Sequence, residues 1–159
     1  MHKISVSLGN MGDAIRQLEE YEKKVQQNIK DFLSKLLESG VNIARAKIMP
    51  LGAIDSGELF DSLAYTLYKE GDKGIIFTDC KHACFVEFGT GVRGSNRPHP
   101  TLPWAYDTNG HGWDGWYYFD EKRGFVRFTQ GMPSRPFMYE TAKELEQRVV
   151  EIAREVFSQ

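Results

Sequence analysis

Long apolar runs are missing from this chain, and so is any surplus of positive charge. No stretch offers the ~20 consecutive apolar residues that a membrane-spanning helix needs, and the first residues lack the apolar core of a signal peptide. A protein made and used in a cytoplasm is expected. The 20 Lys and Arg are outnumbered by 22 Asp and Glu, giving a formal net charge of −2. Nothing in that balance points to a nucleic-acid groove. Cysteine is scarce: Cys80 and Cys84 are the two present. They form no disulfide framework, and a reducing compartment is the simple reading. At 159 residues the chain can bury a core without a disulfide or metal, so one domain over 1–159 is expected. No proline precedes Pro50, which leaves room for an unusually long helix.

That helix is written in the spacing of what is there. Ile15, Leu18, Val25, Ile29, Phe32, Leu36 and Ile43 recur at sums of three and four, the mark of one apolar helical stripe. Asp13 is placed to cap its start, and Gly40 is a mild break of about 1 kcal/mol relative to Ala. Ahead of it, Ile4 to Leu8 alternates like a half-buried strand. Ser56, Leu59 and Leu63 predict a short capped helical turn. Leu63–Tyr68 and Ile75–Thr78 predict one antiparallel hairpin, and Trp116–Phe119 with Phe125–Phe128 a second. His82–Phe88 reads as a short helix ended by Gly89. A closing helix carries Met138, Ala142, Leu145, Val149, Ile152 and Val156 on one face, with Pro136 at its first turn. The fold class is α+β: a mostly antiparallel β-sheet packed against a long N-terminal helix and a C-terminal helix. A long loop over 89–115 is inserted between the core elements. Pro98, Pro100 and Pro103 deny it any period, and a loop of such length is usually functional or mobile.

Several constellations invite chemistry, and each falls short. Gly89, Gly91 and Gly94 fit the G-x-G-x-x-G spacing, which cradles a pyrophosphate only where a strand turns into a helix; the prolines that follow argue against that helix. Cys80, His82 and Cys84, completed by His99 and His111, form a candidate metal set, but the paired spacing of zinc sites is absent. Cys84 with His82 makes a poor thiol nucleophile, with no oxyanion hole nearby. Asp107, Asp114, Asp120 and Glu121 lack a defining spacing for paired acids. Arg93, Arg97, Arg123, Arg127 and Arg135 interleave with aromatics. That mixture serves nucleic acid or a protein interface, and the acidic balance favours protein. All three tryptophans, Trp104, Trp113 and Trp116, fall in the loop-rich second half and are candidate interface anchors. Glu87, inside Phe85-Val86-Glu87-Phe88, either faces solvent or meets an arginine across a contact; Arg135 is the partner expected, through a two-pronged guanidinium.

Together these segments resemble a known family. Asp55-Ser56-Gly57-Glu58-Leu59-Phe60-Asp61-Ser62-Leu63, Phe85-Val86-Glu87-Phe88-Gly89-Thr90, Gly131-Met132-Pro133-Ser134-Arg135-Pro136-Phe137-Met138 and the closing amphipathic helix stand in the order found in tail-completion, or head–tail joining, proteins of long-tailed bacteriophages. The resemblance spans about Ala44 to Phe157. It departs at Phe85, where Tyr is usual, and in the longer Thr90–Thr129 region.

The resemblance implies a non-enzymatic virion protein of the tail or neck, made in the bacterial host cytoplasm, with no cofactor, no metal and no catalytic residue. It implies self-assembly as a ring, commonly a hexamer in similar neck components, and contacts with the tail terminator or tail tube and with head-closure or connector proteins. No membrane and no specific nucleic acid would be bound. The motif and interface residues it marks are Glu87, Phe88, Gly89, Thr90, Trp104, Trp113, Trp116, Arg135, Pro136 and Phe137. The alternatives are a metal-dependent hydrolase and a nucleic-acid-binding module of a mobile element.

Overall fold

A computed structural model describes residues 11–49, 57–68, 71–102, 104 and 114–158. Helix α1 (Met11–Ile48) leads into α2 (Glu58–Asp61) and the strands β1 (Ala64–Leu67) and β2 (Gly74–Phe77). The short helices α3 (Ala83–Phe88) and α4 (Gly91–Asn96) follow. Strands β3 (Trp116–Asp120) and β4 (Phe125–Thr129) precede the closing helix α5 (Phe137–Phe157). The architecture is α+β. The strand expected at Ile4–Leu8 and the capping role of Ser56 lie outside the described residues. No helix among the described residues is long and apolar enough to cross a membrane.

Helix α1 runs unbroken for 38 residues. Asp13 does not cap it, because the helix already begins at Met11; its carboxylate pairs with Arg16 one turn on. Gly40 does not interrupt it either. A Cβ there would stand 2.3 Å from Ile76 Cδ1 and 2.8 Å from Leu145 Cδ1. The missing side chain therefore lets α1, β2 and α5 meet closely. Helix α5 lies antiparallel to α1: Lys47 pairs with Glu144 at 2.9 Å, Lys35 with Glu155, and Phe32 meets Phe157 at a centroid distance of 6.1 Å. So α5 ends beside Phe32, and the first ~20 residues of α1, about 30 Å of helix, pass beyond it. All the buried residues of α1 come from Leu37 onward.

The core sits at the other end of α1. Val41, Ala44 and Ile48 pack with Leu59, Leu63, Cys80, Ala83, Val86 and Phe137, and Ile76 and Met138 close over them. Phe137, at 1% exposure, is the deepest aromatic. Burying a ring of that size contributes about 2–3 kcal/mol. Arg45 pins α2 and the start of β1 to α1 by donating to the carbonyls of Phe60 and Leu63 at 3.3 and 3.1 Å.

Two details differ from the sequence reading. The strands form two separate antiparallel ribbons, β1–β2 and β3–β4, not one sheet. The β1–β2 ribbon lies on α1, whereas α3, α4 and a long connection stand between β2 and β3 in the chain. A helix also forms where none was expected, at Gly91–Asn96. Pro98 restricts only the residue before it and those that follow, which leaves room for six helical residues between Thr90 and Arg97.

Candidate functional site

The site is built on α3, whose six residues turn Val86 and Glu87 inward and Cys84 and Phe85 outward. Gly89 ends the helix at φ +82°, a left-handed backbone that glycine adopts without steric cost. A Cβ on Gly89 would fall 2.6 Å from the Ser134 nitrogen and 2.8 Å from the Met132 carbonyl oxygen. The reason for this crowding is that the two motif segments lie against each other. Thr90 N–H donates to Met132 O at 2.8 Å, and Met132 N–H donates back to Thr90 Oγ1 at 3.1 Å. Arg93 N–H reaches Gln130 O at 3.1 Å, Ser134 N–H reaches Arg97 O at 3.1 Å, and Arg135 N–H reaches Val86 O at 2.9 Å. Ser134 Oγ donates to Glu87 O at 2.6 Å. Segments about forty residues apart are laced together backbone to backbone.

Glu87 completes the lacing. Its carboxylate is buried, the residue being 8% exposed, and it accepts the N–H groups of Met138 (Oε2, 2.9 Å) and Tyr139 (Oε1, 3.0 Å). These are orphan donors in the first turn of α5. The residue at the cap position is Pro136, which makes no side-chain capping bond. Glu87 thus supplies from another helix the acceptor that an Asp or Ser normally supplies locally, and its charge meets the positive end of the α5 dipole. His99 buttresses it: Nε2 lies 3.3 Å from Glu87 Oε1. His99 Nδ1 accepts from the N–H groups of Thr101 and Leu102 at 3.3 and 3.1 Å, which leaves Nε2 to donate to the carboxylate. Around this pair stand Phe88, 5.0 Å from the His99 ring, Tyr139 edge-on at 5.3 Å, and Trp104 stacked on Phe88 at 4.4 Å. An open apolar cleft of about 360 Å³ borders the cluster, lined in part by Cys84, Phe88, Leu102, Met138 and Tyr139.

Within this chain Glu87 is therefore neither solvent-facing nor joined to the Arg135 guanidinium. Arg135 reaches α3 through its backbone N–H. His99, taken from the sequence only as a distant fourth metal ligand, is the carboxylate's side-chain partner. Nothing in the spacing of Glu87 and His99 announced this, since both helix and loop had to be placed first. Phe88, Gly89, Thr90, Trp104 and Pro136 gather at or beside this junction, and Phe137 fills the core. Trp116 packs over Gly91, where a Cβ would lie 2.7 Å from its ring. Trp113 lies outside the described residues, as do His111 and Asp107.

The other constellations resolve on geometry. The G-x-G-x-x-G glycines do meet a helix, but α3 precedes them in place of a strand, and Thr90 O and Gln130 O already accept the N–H groups of Gly94 and Arg93. Cys84 departs on α3, while Cys80 and His82 stay together in the turn before it. Glu58 joins them from α2, and the three donor atoms lie within 4.8 Å of one another. This set could hold a metal ion. However, Cys80 Sγ is 3.3 and 3.2 Å from the two His82 ring nitrogens. Near-equal distances put the sulfur over the ring face, away from the in-plane lone pair that a metal shared with the thiolate would need. Asp120 is engaged by Arg127 at 3.2 Å and Arg123 at 3.9 Å. Burial works to raise its pKa, but the Arg127 hydrogen bond, the Arg123 N–H and both cations prevail, holding it below its ordinary 3.8. Asp114 and Glu121 are exposed and share no site with it.

One surface is conspicuous by what does not cover it. In the β3–β4 register, Tyr117 faces Phe128 and Phe119 faces Val126. Directly opposed residues share a face, so these four form one side of the ribbon. They are 73%, 48%, 60% and 60% exposed respectively.

Residues 13–89 match the family described as "Bacteriophage HK97-gp10, putative tail-component". Over that span the chain is similar to the HK97-gp10 family. The matched span runs from the first turn of α1 to Gly89. It includes the Glu87 carboxylate but not the α5 N-terminus that the carboxylate caps. No curated protein and no solved structure matches the chain.

Proposed function

We propose that this protein, similar over residues 13–89 to the HK97-gp10 family, is a non-enzymatic component of the phage virion. It acts in tail completion and head–tail joining by assembling into a ring in the neck, against tail-tube or terminator proteins on one side and head-closure or connector proteins on the other. The likeness of residues 13–89 to the HK97-gp10 family supports the tail assignment. The observation that carries assembly is the β3–β4 face, whose four large apolar side chains stand in water. A patch of that kind marks an interaction surface. The test is native mass spectrometry of the pure chain, alone and mixed with tail-tube protein. A closed oligomer of defined number is expected, and a monomer in both cases overturns the proposal.

The metal-dependent hydrolase reading rests on Glu58, Cys80 and His82 alone. Its test is elemental analysis of protein purified without chelator, in which a stoichiometric metal would revive it.

A further inference from the structure

The chain leaves a second apolar surface uncovered, and it differs in kind from the first. Beyond the end of α5, helix α1 has Met11, Ile15 and Leu18 exposed on one stripe, with Ile29 exposed and Val25 half-buried further along. The steps of four, three, seven and four residues keep them on one helical face. That face runs on into Phe32, which packs against Phe157 of α5. The stripe that joins α1 to α5 thus continues for about 30 Å, and its Met11, Ile15, Leu18 and Ile29 are exposed. A lone helix of this length is marginal in water, and so is a lone two-stranded ribbon.

We propose that the overhanging part of α1 from one copy lies across the Tyr117, Phe119, Val126 and Phe128 face of the next copy. This rests on the ring reading above and names the two surfaces that meet. Their dimensions agree: five residues of strand span ~17 Å, and Met11 to Val25 spans ~21 Å of helix. A helix stripe laid on the apolar side of a ribbon is an ordinary two-layer packing. The net charges are opposite in sign by a narrow margin. Residues 11–25 carry Asp13, Glu19, Glu20 and Glu22 against Arg16, Lys23 and Lys24. The hairpin carries Lys122, Arg123 and Arg127 against Asp120 and Glu121. Topology points the same way. Pairing α1 with α1 of a second copy would bury the stripe and leave the hairpin bare. A helix-on-hairpin contact is heterologous, so each copy gives one surface and receives the other, and a closed ring leaves neither uncovered.

The test is disulfide trapping of the full chain in a Cys84→Ser background. Leu18→Cys and Phe119→Cys variants are mixed and oxidised in the assembled state. A Leu18→Cys to Phe119→Cys cross-linked pair is expected. A Leu18→Cys variant that cross-links only to itself indicates helix-to-helix pairing and overturns the proposal. A ring that forms without the mixed cross-link also overturns it, while leaving the ring reading intact. A chain that never assembles overturns both. Charge reversal gives a second arm on exposed residues. Glu19→Lys with Glu22→Lys should raise the concentration needed for assembly about tenfold or more. Adding Lys122→Glu with Arg123→Glu should recover it. Failure of the second pair to restore assembly would assign the acidic stretch to another partner. Circular dichroism of each variant verifies the fold.

Discussion

At Glu87 a single carboxylate holds three elements: it belongs to α3, accepts from the first turn of α5 and receives the His99 imidazole. A glutamine there keeps the size but presents one acceptor oxygen to two N–H groups and turns its own amide protons on the other. Glu87→Gln should therefore lower stability by about 1–3 kcal/mol, the cost of a buried polar group left unmatched. Arg135→Ala, in contrast, leaves the backbone N–H to Val86 O in place and should stay within about 0.5 kcal/mol. Chemical denaturation of both variants is the check. A large loss for Arg135→Ala with none for Glu87→Gln would reinstate the guanidinium tie. The sequence marked both segments as important and left Glu87 either facing solvent or meeting Arg135 across a contact; within the chain its partners are the α5 N–H groups and His99. A Glu and an Arg are natural partners on paper, while a helix N-terminus is an electrostatic partner that no residue letter spells.

Among the elements, helices and hairpins were legible because their periods are strong and their stops explicit: Gly89 for α3, Pro50 beyond α1, and Gly124 at φ +72° in the β3–β4 turn. The six-residue α4 was not, because it is too short to show a period and prolines follow it closely. The division into two ribbons was not legible either, since strand partnership is decided by what packs between strands. The α1–α5 seam has a property that solution work can reach. The Lys47 hydrogen bond to Glu144, with the charges of Lys47 and Arg148, outweighs the opposing burial and holds the Glu144 carboxyl below its ordinary 4.5. A lowered folded-state pKa stabilises above the unfolded value, and that gain is lost as pH falls through the folded value. Thermal stability should therefore drop as pH falls below about 4.5, and Glu144→Gln should flatten that slope. An unchanged slope in the variant would assign the acid sensitivity to other carboxylates.

For the whole molecule, the contrast is between a well-filled core at one end of α1 and two bare apolar surfaces elsewhere. Tyr117→Ser with Phe119→Ser touches no core residue. The double variant should keep its helical circular dichroism and melt within a few degrees of the parent. On the proposed ring reading, the variant should sediment as a monomer under conditions in which the parent assembles. Collapse of the fold would place the hairpin in the protomer's own stability. The candidate motif and interface residues in the sequence came from the family-like segments around Glu87 and Arg135 and from the three tryptophans. The exposed β3–β4 face is made of further residues, whose alternation along two paired strands had to be registered before they shared a side.

The lacing of the 87–90 segment to the 131–139 segment has a consequence for synthesis. A nascent chain reaches Gly89 with an acidic group destined for burial, and the ring that fills its core, Phe137, is still some fifty residues away. The stretch with the family's likeness is thus not an autonomous folding unit. A polypeptide stopped at residue 100 should be protease-sensitive and lack a cooperative melt, and should gain protease resistance and a cooperative melt upon addition of a synthetic 130–159 peptide. On the ribosome, closure waits for the last helix. Until it arrives, the core positions Val41, Ala44 and Ile48 of α1 lack the Phe137 ring that covers them in the finished fold.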